Sequence, residues 1–147
     1  PPDILMTPVG GGGLLSGSAI AVKDHKNRAS TLVIGAEPEA AGDAWRGFKT
    51  GIRVTESTPC TIADGLHSSL SERNFKIIMH RVDGIFLASE TRIIEAMRLL
   101  WTRLKILVEP STAVSLAAIM QQPDKFSGKR VAVILSGGNL DLDALPW

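Results

Sequence analysis

Short, unbroken apolar runs alternate along the chain with segments in which apolar residues recur every three or four positions. Apolar runs without intervening polar residues are typical of strands buried on both faces of a sheet. A spacing of three and four is typical of a helix with one apolar face. The pattern predicts strands over 3–9, 31–36, 84–88 and 130–136, and helices over 14–26, 90–107 and 111–120.

The order of these elements predicts the fold class. Strands that alternate with helices pair in parallel and carry the helices on the faces of the sheet. We therefore expect an α/β fold built on an open, mostly parallel, twisted sheet flanked by helices. The least regular stretch, 49–70, is rich in Gly, Thr, Ser and Pro, and a loop of that length is usually functional or partly structured.

Composition and charge narrow the range of functions. The 147 residues suit a single domain, and the formal net charge of +1 argues against a dedicated nucleic-acid binder. No apolar stretch approaches the roughly 20 residues that span a bilayer, so no membrane partner is expected. The single cysteine, Cys60, cannot form a disulfide within the chain and favours a reducing compartment such as the cytoplasm.

Four consecutive glycines, Gly10 to Gly13, stand where the first predicted strand passes into the first predicted helix. Glycine disfavours a helix, but it adopts positive φ and lets a ligand approach the backbone closely. Helix N-termini present N–H groups without partners, and such groups bind phosphate. The alternative is a turn without a ligand, but a turn needs fewer glycines, so the run predicts a phosphate site.

The glycine run fits the common nucleotide motifs poorly. It lacks a regular G-x-G-x-x-G spacing, although Glu37 lies near the place of the expected acidic residue, and it lacks the G-K-[ST] ending of a P-loop. A different phosphate-bearing cofactor is therefore favoured, and a Rossmann-like nucleotide binder is the alternative.

Five segments carry a resemblance to a known family. In chain order they are "PVGGGGLLSG", "GAEPEAAGDAW", "TIADGL", "LVEPSTAVSLAAI" and "VAVILSGGNLDL". They resemble segments of fold-type II pyridoxal-phosphate (PLP) enzymes, in particular the serine racemase and serine/threonine dehydratase family. The resemblance implies a tryptophan-synthase β-like fold, of which residues 1–147 form a single C-terminal, large-domain portion. The N-terminal half is then absent and the fold incomplete.

The resemblance also implies a cofactor site. The glycines would hold the PLP phosphate through their N–H groups, the backbone at Gly65 would pass close to the ring, and Ser136 would hydrogen-bond the pyridine nitrogen. Because serine is a neutral partner, that nitrogen need not stay protonated. From the residues alone, Ser136 also suits a helix N-cap, and Glu109 suits an N-cap or a solvated acid. The implied cofactor residues are Gly10, Gly11, Gly12, Gly13, Leu14, Gly65, Glu109 and Ser136.

A divalent-cation site is implied by the same resemblance. Its members are the carboxylates of Glu37 and Asp43 and the backbone carbonyl of Ala41. Such hard oxygen donors suit Mg²⁺, Mn²⁺ or Ca²⁺, with waters completing the coordination. Gly42 stands where an acid is common in the family, so the affinity could differ. The alternative is a pair of exposed acids at a helix start, where the dipole favours them.

The chain lacks the lysine that forms the Schiff base with PLP in this family. None of its seven lysines lies in a matching motif, so no catalytic residue is assigned and residues 1–147 alone are predicted to be catalytically incomplete. The expected enzyme is a PLP-dependent serine racemase or L-serine/L-threonine ammonia-lyase of amino-acid metabolism, an isomerase or a lyase, represented here by a fragment. The alternative is an inactive relic or interaction module that retains the fold. The resemblance further implies a homodimer, a small amino-acid substrate such as serine or threonine, and ATP at the dimer interface in some members.

Overall fold

A computed structural model describes residues 1–55 and 58–147, and the expected loop residues Glu56 and Ser57 lie outside the described part. Four strands form one sheet in the order β3-β2-β1-β4, and every neighbouring pair is parallel. The α/β architecture with an open parallel sheet is therefore confirmed. The strands are β1 (Ile4–Pro8), β2 (Leu32–Pro38), β3 (Gly84–Ala88) and β4 (Val131–Val133).

Helices cover both faces of this sheet. The helices are α1 (Gly13–Lys23), α2 (Asp43–Thr50), α3 (Glu72–Arg81), α4 (Glu90–Leu99), α5 (Pro110–Gln121) and α6 (Pro123–Phe126). The predicted helices correspond to α1, α4 and α5, whereas α2, α3 and the short α6 were not predicted. Short 3₁₀ turns occupy Glu39–Ala41 and Asp64–Leu66.

Successive residues of the central strands point into two separate cores, as period-two geometry requires. Met6 and Ile34 pack with α4 and α5 on one face, and Val33 packs with α1, α2 and α3 on the other. The prediction that these runs are buried on both faces is confirmed for β1 and β2. It is wrong for the two edge strands, because all three residues of β4 and three of the five residues of β3 are only partly buried. The predicted strand over 130–136 is also longer than β4.

The predicted helix over 90–107 ends early. After α4, the helix continues as a π-helical turn over Leu100–Leu104. It ends at Lys105, which adopts a left-handed conformation with φ of 59°. The indole Nε1 of Trp101 donates a hydrogen bond to the carbonyl of Val108 at 2.9 Å. This contact fastens the connection that leads to Glu109 and α5.

The strand order creates a crevice at the carboxyl ends of the strands. From β1 the chain passes through α1 to β2 on one side, while β4 pairs with β1 on the other side. In open α/β sheets, ligands bind at the carboxyl ends of strands where the connections diverge in this way. Within the described ranges, none of the helices is long and apolar enough to cross a membrane.

Candidate functional site

A pocket of about 220 Å³ lies at the carboxyl ends of β1 and β4. All of the residues that the sequence proposed for the cofactor line this one pocket, together with Pro8, Leu66 and Ser111. Those predicted residues are Gly10, Gly11, Gly12, Gly13, Leu14, Gly65, Glu109 and Ser136. The fold thus brings together segments that are far apart in the chain.

Parallel pairing explains why the glycine run and Ser136 meet. Met6 of β1 stands opposite Val133 of β4, so both strands end at the same edge of the sheet. The glycines follow the end of β1, and Ser136 follows the end of β4. Residues 137–147 contain no helix, so the alternative interpretation of Ser136 as an N-cap is wrong.

At two of the four glycines, the backbone conformation or the packing of the protein leaves little room for a side chain. Gly12 has φ of 83°, and a Cβ at this position would lie 2.5 Å from Cδ2 of Leu70. A Cβ on Gly10 would lie 3.0 Å from the Cα of Leu66. Packing and backbone conformation therefore exclude a side chain at Gly10 and Gly12.

The other two glycines have no such requirement. A Cβ on Gly13 would meet no heavy atom of the described chain within 4 Å, and one on Gly11 would make only an ordinary contact of 3.8 Å with Ser68. Both positions line the pocket, and α1 begins at Gly13 with no acidic residue in its first turn. The N–H groups of that turn have no partners within the helix. This arrangement leaves room for an anion at a favourable end of the helix dipole.

Side chains outside the predicted set hold the glycine loop in shape. The amide Nδ2 of Asn74 donates to the carbonyl of Gly11 at 2.7 Å, and the hydroxyl of Ser16 donates to the carbonyl of Gly12 at 2.7 Å. Asn74 lies on α3, which the sequence analysis missed. The available signal was Ser71, a typical N-cap residue, whose hydroxyl accepts from the N–H of Asn74 at 3.2 Å.

Glu109 occupies the N-cap position of α5 rather than the end of a long helix. Its side chain does not cap that helix. Instead, the carboxylate accepts a hydrogen bond from the N–H of Asn139 at 2.8 Å, and its own N–H donates to the carbonyl of Gly137 at 3.3 Å. Glu109 therefore fastens the loop that carries Ser136 to the start of α5.

No lysine lines this pocket among the described residues. Lys23, for example, donates to the carbonyl of Thr31 at 3.0 Å and forms an ion pair with Asp83 at 2.8 Å. The described part of the pocket thus offers backbone donors, the hydroxyls of Ser111 and Ser136 and the carboxylate of Glu109, but not an amine nucleophile.

The predicted cation ligands lie at the end of β2, which contains Glu37, and in the turn that follows it. Glu37 and Asp43 are 1% and 4% exposed, and Ala41 is also buried. The alternative of two exposed acids is therefore wrong. The carboxylate of Glu37 accepts from the N–H groups of Ala44 at 2.9 Å and Trp45 at 2.8 Å, at the N-terminus of α2.

Burial has the largest effect on the charge of Glu37. Together with a smaller contribution from the nearby Asp43 charge, it raises the pKa of Glu37 to about 8, against the lowering effects of the two N–H donors and of Arg46. Within the described ranges, no three His, Cys, Asp or Glu side chains form a metal-binding cluster. The predicted set contains only two carboxylates, Glu37 and Asp43, because its third donor is a backbone carbonyl.

Several known proteins are similar to this chain in sequence or in structure. The chain is 45% identical to the β-hydroxyaspartate dehydratase of Paracoccus denitrificans over 145 residues, covering 99% of this chain and 45% of that protein. Its structure resembles the crystal structure of a T.th. threonine deaminase, with a TM-score of 0.90, 47% identity and coverage of 96% and 50% of the two chains. It also resembles serine racemase from Dictyostelium discoideum, with a TM-score of 0.86, 44% identity and coverage of 97% and 45%.

The chain spans less than half the length of the curated relatives that it matches. A match to the family described as pyridoxal-phosphate dependent enzyme extends over residues 1–137. Together with the glycine loop, the pocket and the parallel sheet, this match shows that the chain belongs to the pyridoxal-phosphate dependent enzymes.

Proposed function

We propose that the pocket binds PLP, and that the complete gene product containing this chain is a serine racemase or an ammonia-lyase that acts on serine or threonine. The observation that carries the proposal is that Gly11 and Gly13, where the protein leaves room for a side chain, line this pocket at the start of α1. A phosphate close to the backbone accounts for glycine at both positions, since a side chain there would stand in the way. Ser136 lines the same pocket and suits a neutral partner for the pyridine nitrogen.

Each part of the pocket has a role in this proposal. The N–H groups from Gly10 to Leu14 bind the phosphate, and each charge-assisted hydrogen bond contributes about 1.5–3 kcal/mol. The backbone at Gly65 forms one wall beside the ring, and the Ser136 loop forms the opposite wall. Glu109 holds that loop through Asn139.

Bound PLP would supply an electron sink for the charge left when the α-proton of the amino acid is removed. The amine nucleophile and the groups that move that proton would come from polypeptide outside residues 1–147, because no lysine lines the described pocket. The names of the three relatives reported above share a substrate class, amino acids that carry a β-hydroxyl. This supports serine, threonine or a hydroxyaspartate as the substrate.

Turnover assays test the proposed activity. The complete gene product, loaded with PLP, is expected to convert L-serine, L-threonine or L-threo-3-hydroxyaspartate into a keto acid with ammonia, or L-serine into D-serine. Residues 1–147 alone should give neither product. PLP binding without any of these products would contradict the proposed reactions, and NAD- or ATP-dependent spectral changes without PLP binding would favour a nucleotide site instead.

We also propose a divalent cation, Mg²⁺, Mn²⁺ or Ca²⁺, at Glu37, Asp43 and Ala41. Two carboxylates buried side by side repel one another and are poorly hydrated, and a cation relieves both costs. Its role would be structural, since it would brace the connection between β2 and α2 rather than take part in the chemistry.

We further propose that the gene product forms a homodimer. Leu99, Leu104, Ile106 and Leu107 are each at least 40% exposed, which supports burial of this region in a homodimer or against the rest of the gene product. ATP at the dimer interface rests on the family resemblance alone. The single, exposed cysteine suits the reducing cytoplasm. Light scattering of the gene product with and without ATP tests the dimer and its response.

A further inference from the structure

The first turn of α5 carries two buried hydroxyls that bond to two different segments at the candidate pocket, the backbone at Gly65 and the loop that carries Ser136. The Oγ of Ser111 accepts a hydrogen bond from the N–H of Gly65 at 3.0 Å. The Oγ1 of Thr112 donates to the carbonyl of Gly137, next to Ser136, at 3.0 Å. Ser111 is 4% exposed and Thr112 is fully buried. Neighbouring residues of one rigid element thus contact both walls.

Close packing leaves no room for a side chain on either segment. A Cβ on Gly65 would lie 2.9 Å from Oγ of Ser111, and a Cβ on Gly137 would lie 2.7 Å from Oε1 of Glu109. The backbone of both segments therefore lies close to the start of α5, and the hydrogen bonds from Ser111 and Thr112 hold it there.

We propose that Ser111 and Thr112 are positioning residues that set the separation of the Gly65 wall and the Ser136 wall for the PLP ring. This inference rests on the proposed function of the pocket. The two residues have separate roles, since Ser111 places the backbone beside the ring and Thr112 places the hydroxyl of Ser136 against the pyridine nitrogen.

The same helix provides a matched control. Ser115, one turn after Ser111, is also fully buried, yet among the described residues its hydroxyl has no hydrogen-bond partner. It does not line the pocket. Removing this hydroxyl tests the general effect of losing a buried hydroxyl from α5 without touching either wall.

The experiment measures PLP binding to the complete gene product by absorbance and fluorescence. Ser111→Ala and Thr112→Val should each raise the Kd for PLP about tenfold, equivalent to about 1.4 kcal/mol. Ser115→Ala should stay within twofold of the wild type, and Thr112→Ser, which restores a hydroxyl, should recover most of the lost affinity. Thermal unfolding of each variant without PLP identifies any that fail to fold.

A spectroscopic readout separates positioning from a general structural role. Thr112→Val should change the pH dependence of the bound PLP spectrum, because the nitrogen contact moves, whereas Ser111→Ala should leave that dependence unchanged. If the wild type binds PLP and both variants bind it with unchanged Kd and spectra, the positioning role is overturned while the proposed function stands. If the wild type binds no PLP, both are overturned.

Discussion

Glycine at neighbouring positions serves different purposes in this chain, and only the local geometry distinguishes them. Gly12 is needed for a positive φ in a crowded place, whereas Gly13 faces open space at the start of α1. Gly17, further along α1, also has no heavy atom within 4 Å of its missing Cβ. Gly13 and Gly17 are both exposed positions of the same helix. Gly13 is the first residue of α1 and lines the pocket, whereas Gly17 lies in the second turn and does not.

Substitution of Gly12 tests the structural part of this account. Gly12→Ala should destabilise the protein by more than about 1 kcal/mol, because alanine disfavours the left-handed conformation by roughly 1–2 kcal/mol and its Cβ would clash with Leu70. Gly17→Ala should instead stabilise it by about 0.5–1 kcal/mol, as expected in an exposed helix position. Urea unfolding of both variants measures the difference. A Gly12→Ala variant as stable as the wild type would show that the loop has a different conformation.

At the scale of elements, the pattern of apolar positions predicted the strands better than the helices. The run over 84–88 coincides with β3, and β1 differs from its predicted span by one residue at each end. Helix α3 was missed because only two of its residues, Phe75 and Ile78, are buried, and because the helix begins and ends with charged and polar residues. The pocket residues were predicted from the family resemblance. Asn74 and Thr112 were not predicted, because each acts through a hydrogen bond to a residue far away in the chain: Gly11, 63 residues from Asn74, and Gly137, 25 residues from Thr112. Contacts of that kind depend on tertiary packing and leave no local pattern.

An ion pair at the start of β1 and β4 gives a pH-dependent test of this strand pairing. The carboxylate of Asp3 accepts hydrogen bonds from the backbone N–H of Arg130 at 2.8 Å and from its guanidinium at 3.0 Å. These bonds lower the pKa of Asp3 from 3.8 to about 2. The stabilisation is therefore complete above the unfolded-state pKa and is lost as the pH falls through about 2.

Asp3→Asn should accordingly lower the free energy of unfolding at neutral pH, and its difference from the wild type should shrink between pH 5 and pH 2. The effect should be modest, because the pair is exposed. In an Arg130→Gln background, Asp3→Asn should have little further effect. A difference that is independent of pH would contradict the assignment of this pair.

At the scale of the whole molecule, two sites lie at the same edge of the sheet. The candidate cofactor pocket follows β1 and β4, and the candidate cation site lies at the end of β2 and in the turn after it. Both depend on parallel strands that end together, which is why residues far apart in the chain meet there. Neither could be completed from the pattern of apolar residues, because buried carboxylates such as Glu37 leave the same signal as surface acids.

The cation proposal predicts a change in global stability. Mg²⁺ or Ca²⁺ should raise the unfolding temperature of the protein, since a ligand that binds only the folded state stabilises it by mass action. Glu37→Gln should abolish that increase. Glu39→Gln should retain it, because Glu39 is an exposed carboxylate nearby in the chain whose partner is Gln121. An equal increase in all three proteins would show that the cation binds elsewhere.

The most direct test of the phosphate site is a PLP titration of the gene product that carries Gly13→Ala, beside the matched Gly17→Ala. Both substitutions should preserve or increase the stability of α1, since neither Cβ meets another atom. Gly13→Ala keeps its backbone N–H but adds a methyl group where the phosphate would lie. It should therefore weaken PLP binding at least tenfold, as expected if the displaced phosphate loses one charge-assisted hydrogen bond, while Gly17→Ala binds like the wild type. Unchanged PLP affinity in the Gly13→Ala variant would contradict the claim that this helix start holds the phosphate.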